Sequence, residues 1–265
     1  MKIIWETKME IQVKKAIKAG NSSAVILPRA WLGREVRIEL IKKSPEKILK
    51  EVIEIVEKYI ELKEIIGIYL TGSYARGEED KNSDIDLLII TKDSDKEIIK
   101  EGIYNILIIS EELLKQKLES DLLQVGPMIK EAKALLNLKY FNSIEVRATK
   151  KNTKLYLDTT EYKLRMIKEI IDKMKKKGKK YLNDRVAYTL VLRIRTLEII
   201  KNLIENKRYS KKEFIKKIRK IAGINAYERY LAVKNNLEEK NGISIDETEK
   251  LYEHLKRQME EIKIP

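Results

Sequence analysis

The chain of 265 residues contains no cysteine, a single histidine and no long apolar run. The absence of cysteine excludes disulfides and favours a reducing compartment. A membrane-spanning helix needs about 18 or more apolar residues in succession, and because no such run occurs we expect no membrane partner. The first residues also lack the apolar core of a signal peptide. These absences together predict a soluble, cytoplasmic protein.

The shortage of histidine excludes several kinds of catalytic site. His254 lies among Tyr252, Glu253 and Lys256, so we expect it to be a surface residue. A lone histidine in this setting argues against histidine-based catalysis and against zinc sites. It also argues against a HEPN-type ribonuclease, whose Arg-x4-His motif would need an arginine where this chain has Glu249.

Charge is abundant and unevenly distributed. Charged residues make up 37% of the chain, and the formal net charge is +14. Residues 161–220 hold 21 lysines and arginines against 7 aspartates and glutamates. Such a segment either attracts polyanions in a salt-dependent way or forms a solvated, lysine-rich helix surface. The mixture of Lys, Glu and Ile is typical of thermophile proteins.

One segment points to a particular chemistry. The apolar residues 66–70 predict a buried strand, which Gly72 and Ser73 interrupt. Glycine lets the backbone approach a ligand closely, and free N–H groups at the start of a helix favour phosphate. After ten further residues, Asp84 and Asp86 open a second apolar run. The two strands and the polar residues between them predict a phosphate-binding turn beside a pair of carboxylates.

The spacing of the two aspartates predicts a cation site. Alternate side chains of a strand share a face, so Asp84 and Asp86 point the same way while Ile85 points into the core. Two carboxylates on one face repel each other unless a cation lies between them. Magnesium prefers oxygen ligands and also binds substrate phosphates. A lone Asp-x-Asp is usually a solvated strand end, and it is the joint pattern that favours a metal.

The joint pattern resembles a known signature. Gly72-Ser73, the ten-residue spacer and Asp84-Ile85-Asp86 are similar to the motif of minimal nucleotidyltransferases, members of the DNA polymerase β superfamily. Tyr74-Ala75-Arg76-Gly77 and Ser83 also fit the fuller pattern. The resemblance covers about a third of the chain, residues 50–140.

The resemblance implies a fold, a reaction and a set of site residues. The fold would be α/β (α+β), with a small mixed sheet and flanking helices. Gly72 and Ser73, assisted by Ser83, would hold a nucleoside triphosphate, for which ATP is favoured. Asp84 and Asp86 would bind Mg2+ or Mn2+. The reaction would move a nucleoside monophosphate to an acceptor hydroxyl and release pyrophosphate.

The residue predicted at the third metal-ligand position, Asn105, differs from the carboxylate that the family usually has there. A carboxylate on a later strand usually faces the first two, but in the predicted strand 103–109 the best-placed polar residue is Asn105. An amide can donate an oxygen ligand, but it carries no charge and is a poor base. Glu101 would substitute if the strand started earlier. Nucleotide binding is therefore a firmer prediction than turnover.

Arg76 has two interpretations. Its guanidinium matches phosphate geometry, so it is a candidate helper on the triphosphate. It is equally well placed for a surface ion pair with Glu78 or Glu79. The sequence leaves both open.

Residues 1–43 predict a separate unit with three short strands, at 11–13, 23–27 and 34–41. A turn follows Gly20, and residues 28–33 predict one helical turn. The run from Lys15 to Pro28 resembles the swapped-hairpin DNA-binding domains of the AbrB/SpoVT type. That resemblance implies an interlocked homodimer that contacts DNA through Lys14, Lys15, Lys18, Asn21, Arg29 and Arg34. A hairpin that only docks or dimerises is the alternative, because the unit is too small to bury a core alone.

Two further domains follow the boundary at Ser44-Pro45. Residues 46–150 form the predicted nucleotidyltransferase domain, with helices at 48–65, 111–118 and 127–138. Residues 155–265 form a predicted helical domain, in which Ser210 and Asp246 are expected helix caps. Its helices are predicted at 162–176, 182–204, 211–222, 226–236 and 247–262.

Three functions fit this organisation. The first is an enzyme that transfers nucleotide to a partner protein, as antitoxin members of the family do, and the AbrB-like segment favours it. The second is a DNA-binding regulator with a degenerate nucleotide site, which Asn105 favours. The third is nucleotide addition to RNA, favoured by the basic helical domain. In each case the acceptor or partner is a nucleic acid or a protein.

The DNA-binding hypothesis predicts a salt-dependent gel shift. Residues 1–45 should retard random-sequence duplex DNA at low salt, and the shift should weaken as salt rises because phosphate contacts release counterions. Absence of a shift even at low salt would exclude DNA binding by this unit.

Overall fold

A computed structural model describes residues 12, 14, 16–38, 43–80, 83–237 and 242–264. The chain divides into two compact units, residues 1–43 and residues 44–265. The strands are β1 (Ile17–Ala19), β2 (Ser22–Ala24), β3 (Ile65–Thr71), β4 (Ile85–Thr91), β5 (Lys96–Glu101), β6 (Tyr104–Ser110), β7 (Lys133–Leu136), β8 (Tyr181–Leu182) and β9 (Ile243–Ser244). The helices are α1 (Pro45–Val56), α2 (Gly72–Arg76), α3 (Glu111–Ser120), α4 (Gly126–Glu131), α5 (Leu138–Ser143), α6 (Lys150–Lys176), α7 (Asp184–Ile204), α8 (Lys211–Lys234) and α9 (Ile245–Glu261).

The first unit contains a short hairpin. Strands β1 and β2 pair antiparallel around a turn in which Gly20 has a φ of +60°. A single 3-10 turn, Arg29–Trp31, follows Pro28, as predicted. The predicted strand at 23–27 is wrong beyond Ala24, where pairing stops. None of the described residues of this unit is buried, which agrees with the expectation that it is too small for a core of its own.

Two other strands predicted for this unit fall partly outside the described residues. Ile11 and Val13 lie outside them, as do residues 39–41. Residues 34–38 form no strand, so that part of the third prediction is wrong. The homodimer stays a prediction.

The second unit is built on a five-stranded mixed sheet with the order β5-β6-β4-β3-β7. The central pair β4 and β6 is parallel, and the other neighbours are antiparallel. Helix α1 covers one face of the sheet, and α3 and α4 cover the other. This arrangement confirms the predicted fold class of a small mixed sheet with flanking helices.

Alternation along β4 directs its residues to the two faces. Ile85, Leu87 and Ile89 pack on the α1 face, while Leu88 and Ile90 pack on the face of α3 and α4. All five side chains are fully buried. By the same alternation, Asp86 belongs to the face that α3 and α4 cover.

Several predicted boundaries are wrong. Helix α1 begins at the cap Ser44 and ends at Val56, so the helix predicted over 48–65 is too long. The helix predicted over 127–138 is instead α4 followed by the strand β7, which pairs with β3. The exposed strand β5 has no counterpart among the predictions.

The C-terminal region is a helical bundle of α6 to α9 with one core. The largest difference from the predicted helix boundaries in this region is at α6, which begins at Lys150 rather than at residue 162. Helix α8 kinks at Gly223, whose φ of 83° breaks the helical backbone between the two predicted helices. Ser210 caps α8 as predicted, whereas α9 is capped by Ser244 and not by Asp246.

Within the described residues, no helix is both long enough and apolar enough to cross a membrane.

Candidate functional site

The candidate site lies where three neighbouring strands place polar residues side by side. Thr71, the last residue of β3, pairs with Asp86 in β4, and Asp86 pairs with Asn105 in β6. Paired residues of neighbouring strands point to the same face. Asp84 immediately precedes β4 and is two residues from Asp86. The sheet register therefore brings the predicted aspartates and Asn105 together.

The Asn105 amide bridges the two aspartates. Its Nδ2 donates to Asp84 Oδ2 at 3.3 Å and to Asp86 Oδ1 at 3.2 Å. One oxygen of each carboxylate therefore faces the Asn105 NH2 group, which carries a partial positive charge. Rotation of the amide by a half-turn would place Oδ1 there and complete a set of oxygen donors.

This donor set fits a magnesium ion. Two carboxylates and an amide oxygen leave room for the water and phosphate ligands that Mg2+ retains. The buried hydroxyl of Thr71 has no hydrogen-bond partner among the described residues, so the surroundings of Asp86 hold an unused polar atom. Among the residues that the structure describes, no three or more His, Cys, Asp or Glu side chains lie close enough together to hold a metal ion. Any ion here would therefore rest on two carboxylates.

Gly72 is held against Asp86 by the turn from β3 into α2. Its φ is +66°, a left-handed conformation that glycine adopts without strain. A Cβ at this position would lie 2.9 Å from Asp86 Cγ and closer still to Oδ2. A side chain at this position would displace the Asp86 carboxylate. The assignment of Gly72 to the triphosphate stays a prediction.

Ser73 and Ser83 both take part in local backbone geometry. The carbonyl of Ser73 accepts a hydrogen bond from Glu78 N at 2.9 Å, which closes the end of α2. The Ser83 hydroxyl accepts from Asp80 N at 2.8 Å and shapes the loop before Asp84. Their assignment to the triphosphate stays a prediction.

Arg76 lies between two carboxylates. Its Nε donates to Glu78 at 2.9 Å, and its Nη1 donates to Glu131 at 2.5 Å. The guanidinium is only 15% exposed. The ion pair with Glu78 was one of the two interpretations of Arg76, but the pair is largely buried and Glu131 is a second partner.

Glu131, the last residue of α4, is the site residue that the sequence did not indicate. Its Oε1 accepts a hydrogen bond from Gly72 N at 2.8 Å, and its Oε2 accepts from Arg76. No spacing or motif connects it to the aspartates. The sequence pattern predicts one helix over 127–138, whereas α4 ends at Glu131 and β7 begins at Lys133. The end of α4 places Glu131 at the site.

Burial and the ion-pair partners act in opposition on the pKa values of this cluster. Burial raises the pKa of Glu131, and the charge of Asp86 adds to that effect, although Arg76 and the Gly72 amide oppose it. Burial would lower the pKa of Arg76, but Glu78 and Glu131 outweigh it and the pKa is raised. Burial likewise acts against ionisation of Glu78, yet Arg76 and Ser210 hold its pKa below the ordinary value. Arg76 is therefore held in the charged form.

Glu101 is not the third ligand. It is the last residue of β5, and its carboxylate pairs with Lys58 at 2.5 Å. Tyr59 donates to the same carboxylate at 3.5 Å. Because β6 starts only at Tyr104, Asn105 keeps the third position.

The predicted DNA-binding residues of the first unit are exposed. This holds for Lys14, Lys18, Asn21, Arg29 and Arg34. Lys15 lies outside the described residues. Contact of this unit with DNA stays a prediction.

Comparison with known proteins gives a family match and weak structural likenesses. The model of the nucleotidyltransferase domain family matches residues 47–252. Among curated proteins, none matches this chain. Spectinomycin adenyltransferase AAD(9) from Enterococcus faecialis, solved with ATP and spectinomycin, is 14% identical with a TM-score of 0.42, over 82% of this chain and 99% of that one.

Two other solved structures are similar in part. A nucleotidyltransferase-like protein from Exiguobacterium sibiricum 255-15 is 13% identical, with a TM-score of 0.35 over 80% of this chain and 74% of that one. A toxin-antitoxin structure with AMP-PNP is 15% identical, with a TM-score of 0.25 over 46% of this chain and 96% of that one. Likenesses this weak add nothing to an assignment of function.

Gly72→Ala should weaken nucleotide binding at the site. The new Cβ would displace the Asp86 carboxylate, so we expect the affinity for Mg–ATP, measured by titration calorimetry, to fall about tenfold or more. Gly77→Ala is the matched control, because Gly77 also has a positive φ, +69°, but nothing lies within 4 Å of its Cβ. Both variants carry a similar backbone strain of about 1–2 kcal/mol. An equal loss of affinity in both would contradict the role of Gly72.

Proposed function

Because the chain belongs to the nucleotidyltransferase domain family, whose model matches residues 47–252, we propose that it is a magnesium-dependent nucleotidyltransferase. The proposed donor is a nucleoside triphosphate, with ATP favoured, and the proposed acceptor is a hydroxyl of a macromolecule. The convergence of Asp84, Asp86 and Asn105 beside Gly72 is the observation that carries this proposal.

Asp84 and Asp86 would hold the metal ion, with the Asn105 amide oxygen as a neutral third ligand. A magnesium ion bound there would neutralise charge on the phosphates and orient the substrate. The Gly72 N–H and the Arg76 guanidinium are the proposed donors to the phosphate oxygens. These residues would position the α-phosphorus for in-line attack and stabilise the charge that develops on the leaving pyrophosphate.

The transfer step forms one bond and breaks one. The acceptor oxygen bonds to the α-phosphorus, the bond from that phosphorus to the bridging oxygen of the β-phosphate breaks, and pyrophosphate leaves with the electron pair. The acceptor hydroxyl must also lose its proton, which would pass to solvent water. Asn105 cannot take that proton because an amide is a poor base. We therefore expect deprotonation of the acceptor to limit the rate.

A protein is the favoured acceptor, because the run from Lys15 to Pro28 resembles the AbrB/SpoVT-type domains. The basic segment 161–220 supports RNA as the alternative, because it carries the excess positive charge of the chain. A DNA-binding regulator that binds nucleotide without turnover is the second candidate function. The position of Asn105 between the two aspartates favours it.

Radiolabelled transfer distinguishes these functions. The protein, magnesium and a cell lysate would be incubated with each of ATP, CTP, GTP and UTP carrying label on the α-phosphate. A labelled protein band supports protein modification, labelled RNA supports nucleotide addition, and absence of label supports the regulator.

Asp84→Ala and Asp86→Ala should each reduce labelling by about 100-fold or more, because each removes a charge that stabilises the transfer. Asp158→Ala is the matched control, since Asp158 forms a surface ion pair with Lys154 on α6. Retention of label in both site variants would exclude this site as the place of transfer.

Asn105→Asp should increase labelling, by up to about 100-fold if the missing base limits the rate. The side chain keeps its size and gains the charge expected of a third carboxylate. Asn142→Asp, on the exposed surface of α5, controls for the added charge. Unchanged labelling in Asn105→Asp would mean that deprotonation by this position is not limiting.

A further inference from the structure

Glu131 occupies two donors that the proposed function assigns to the triphosphate. Its two carboxylate oxygens separately accept from the Gly72 amide, at 2.8 Å, and from the Arg76 guanidinium, at 2.5 Å. A phosphate group presents the same chemistry, with negatively charged oxygens that accept from backbone N–H groups and guanidinium. A donor proton that points to Glu131 cannot at the same time serve a phosphate oxygen.

We propose that Glu131 is a resident anion that competes with the triphosphate for Gly72 and Arg76 and that must release both when nucleotide binds. This inference rests on the proposed function, in which those two residues bind the phosphates. It makes Glu131 a positioning residue that lowers nucleotide affinity, in addition to shaping the turn after β3.

The surroundings of Glu131 make the loss of its two donors costly, which is why it would lower nucleotide affinity. Its side chain is only 12% exposed and lies near the negative charge of Asp86. Burial and that charge both destabilise the ionised carboxylate, which therefore depends on the two donors that hold it. Once phosphate oxygens take these donors, little else in the cluster stabilises a buried charge on Glu131.

Arg76 does not depend on Glu131 alone. Glu78 accepts from Arg76 Nε at 2.9 Å and is itself fixed, because Ser210 donates its hydroxyl to Glu78 at 2.8 Å. The backbone N–H of Lys211 donates to the same carboxylate at 3.4 Å. The guanidinium would therefore keep its position and one partner while Nη1 turns from Glu131 to a phosphate.

Titration calorimetry on the full chain tests the competition. The probes are inorganic tripolyphosphate and α,β-methylene-ATP, each with Mg2+, because neither permits nucleotidyl transfer. Glu131→Gln keeps the shape of the side chain and removes its charge, so we expect it to bind both probes about tenfold more tightly than the wild type. Unchanged or weaker binding would overturn the proposal, because a residue that only organised the turn would lose affinity when altered. Binding of neither probe by any variant would also overturn it.

Two further variants separate competition from packing. Glu131→Asp keeps the charge, so its affinity should stay within about threefold of the wild type. If it binds as tightly as Glu131→Gln, loosened packing explains the gain and the proposal is wrong. Glu198→Gln is the matched control, since Glu198 pairs with Lys217 at 2.5 Å within the helical bundle. Its affinity should match that of the wild type, and a tenfold gain there would contradict a specific role of Glu131.

The proposal and the proposed function fail in different ways. If the wild-type chain binds tripolyphosphate but transfers no label, the proposed nucleotidyltransferase activity is contradicted, whereas the proposed competition of Glu131 with phosphate is not. If the wild-type chain transfers label but the Glu131→Gln variant binds the probes no more tightly, the proposed competition is contradicted, whereas the proposed nucleotidyltransferase activity is not.

Discussion

The close approach of Gly72 to Asp86 is the constraint on which the rest of the site depends. Strand β3 must end and turn within one residue while the central strand β4 presents a carboxylate beside that turn. Only a residue without a Cβ allows this. The approach places Gly72 next to Asp86, and the Gly72 amide donates to Glu131. The proposed phosphate-binding turn, the proposed cation site and the buried ion pair of Arg76 are thus close neighbours.

The sequence predicted the centre of the sheet well and its margins poorly. Strands β3, β4 and β6 are short apolar runs that are buried on both faces, and their composition alone identifies them. The edge strands β5 and β7 are partly exposed and pair through backbone hydrogen bonds, which leave little trace in the side-chain pattern. The alanine and the two leucines of β7 also favour a helix, so the pairing of β7 with β3 overrode local propensity. The family model confirms the predicted nucleotidyltransferase family.

The site was predictable where its residues are near one another in the chain. Gly72, Asp84 and Asp86 belong to one motif, and Asn105 follows from the next strand of the sheet. Glu131 is brought in by packing of α4 against the sheet, which no local pattern encodes. The structure therefore contains two carboxylates at the place of the predicted cation and a third, Glu131, that accepts from the Gly72 amide and from Arg76.

The hydrogen bond between Ser210 and Glu78 limits how the protein can be divided. Ser210 caps α8 of the helical bundle, and Glu78 holds the buried guanidinium beside the nucleotide turn. A fragment that stopped near residue 150 would remove α8 together with the two donors, Ser210 and the Lys211 amide, that hold Glu78. The sheet and the bundle are consequently poor candidates for independent modules, and recombination between relatives would need to exchange both halves together.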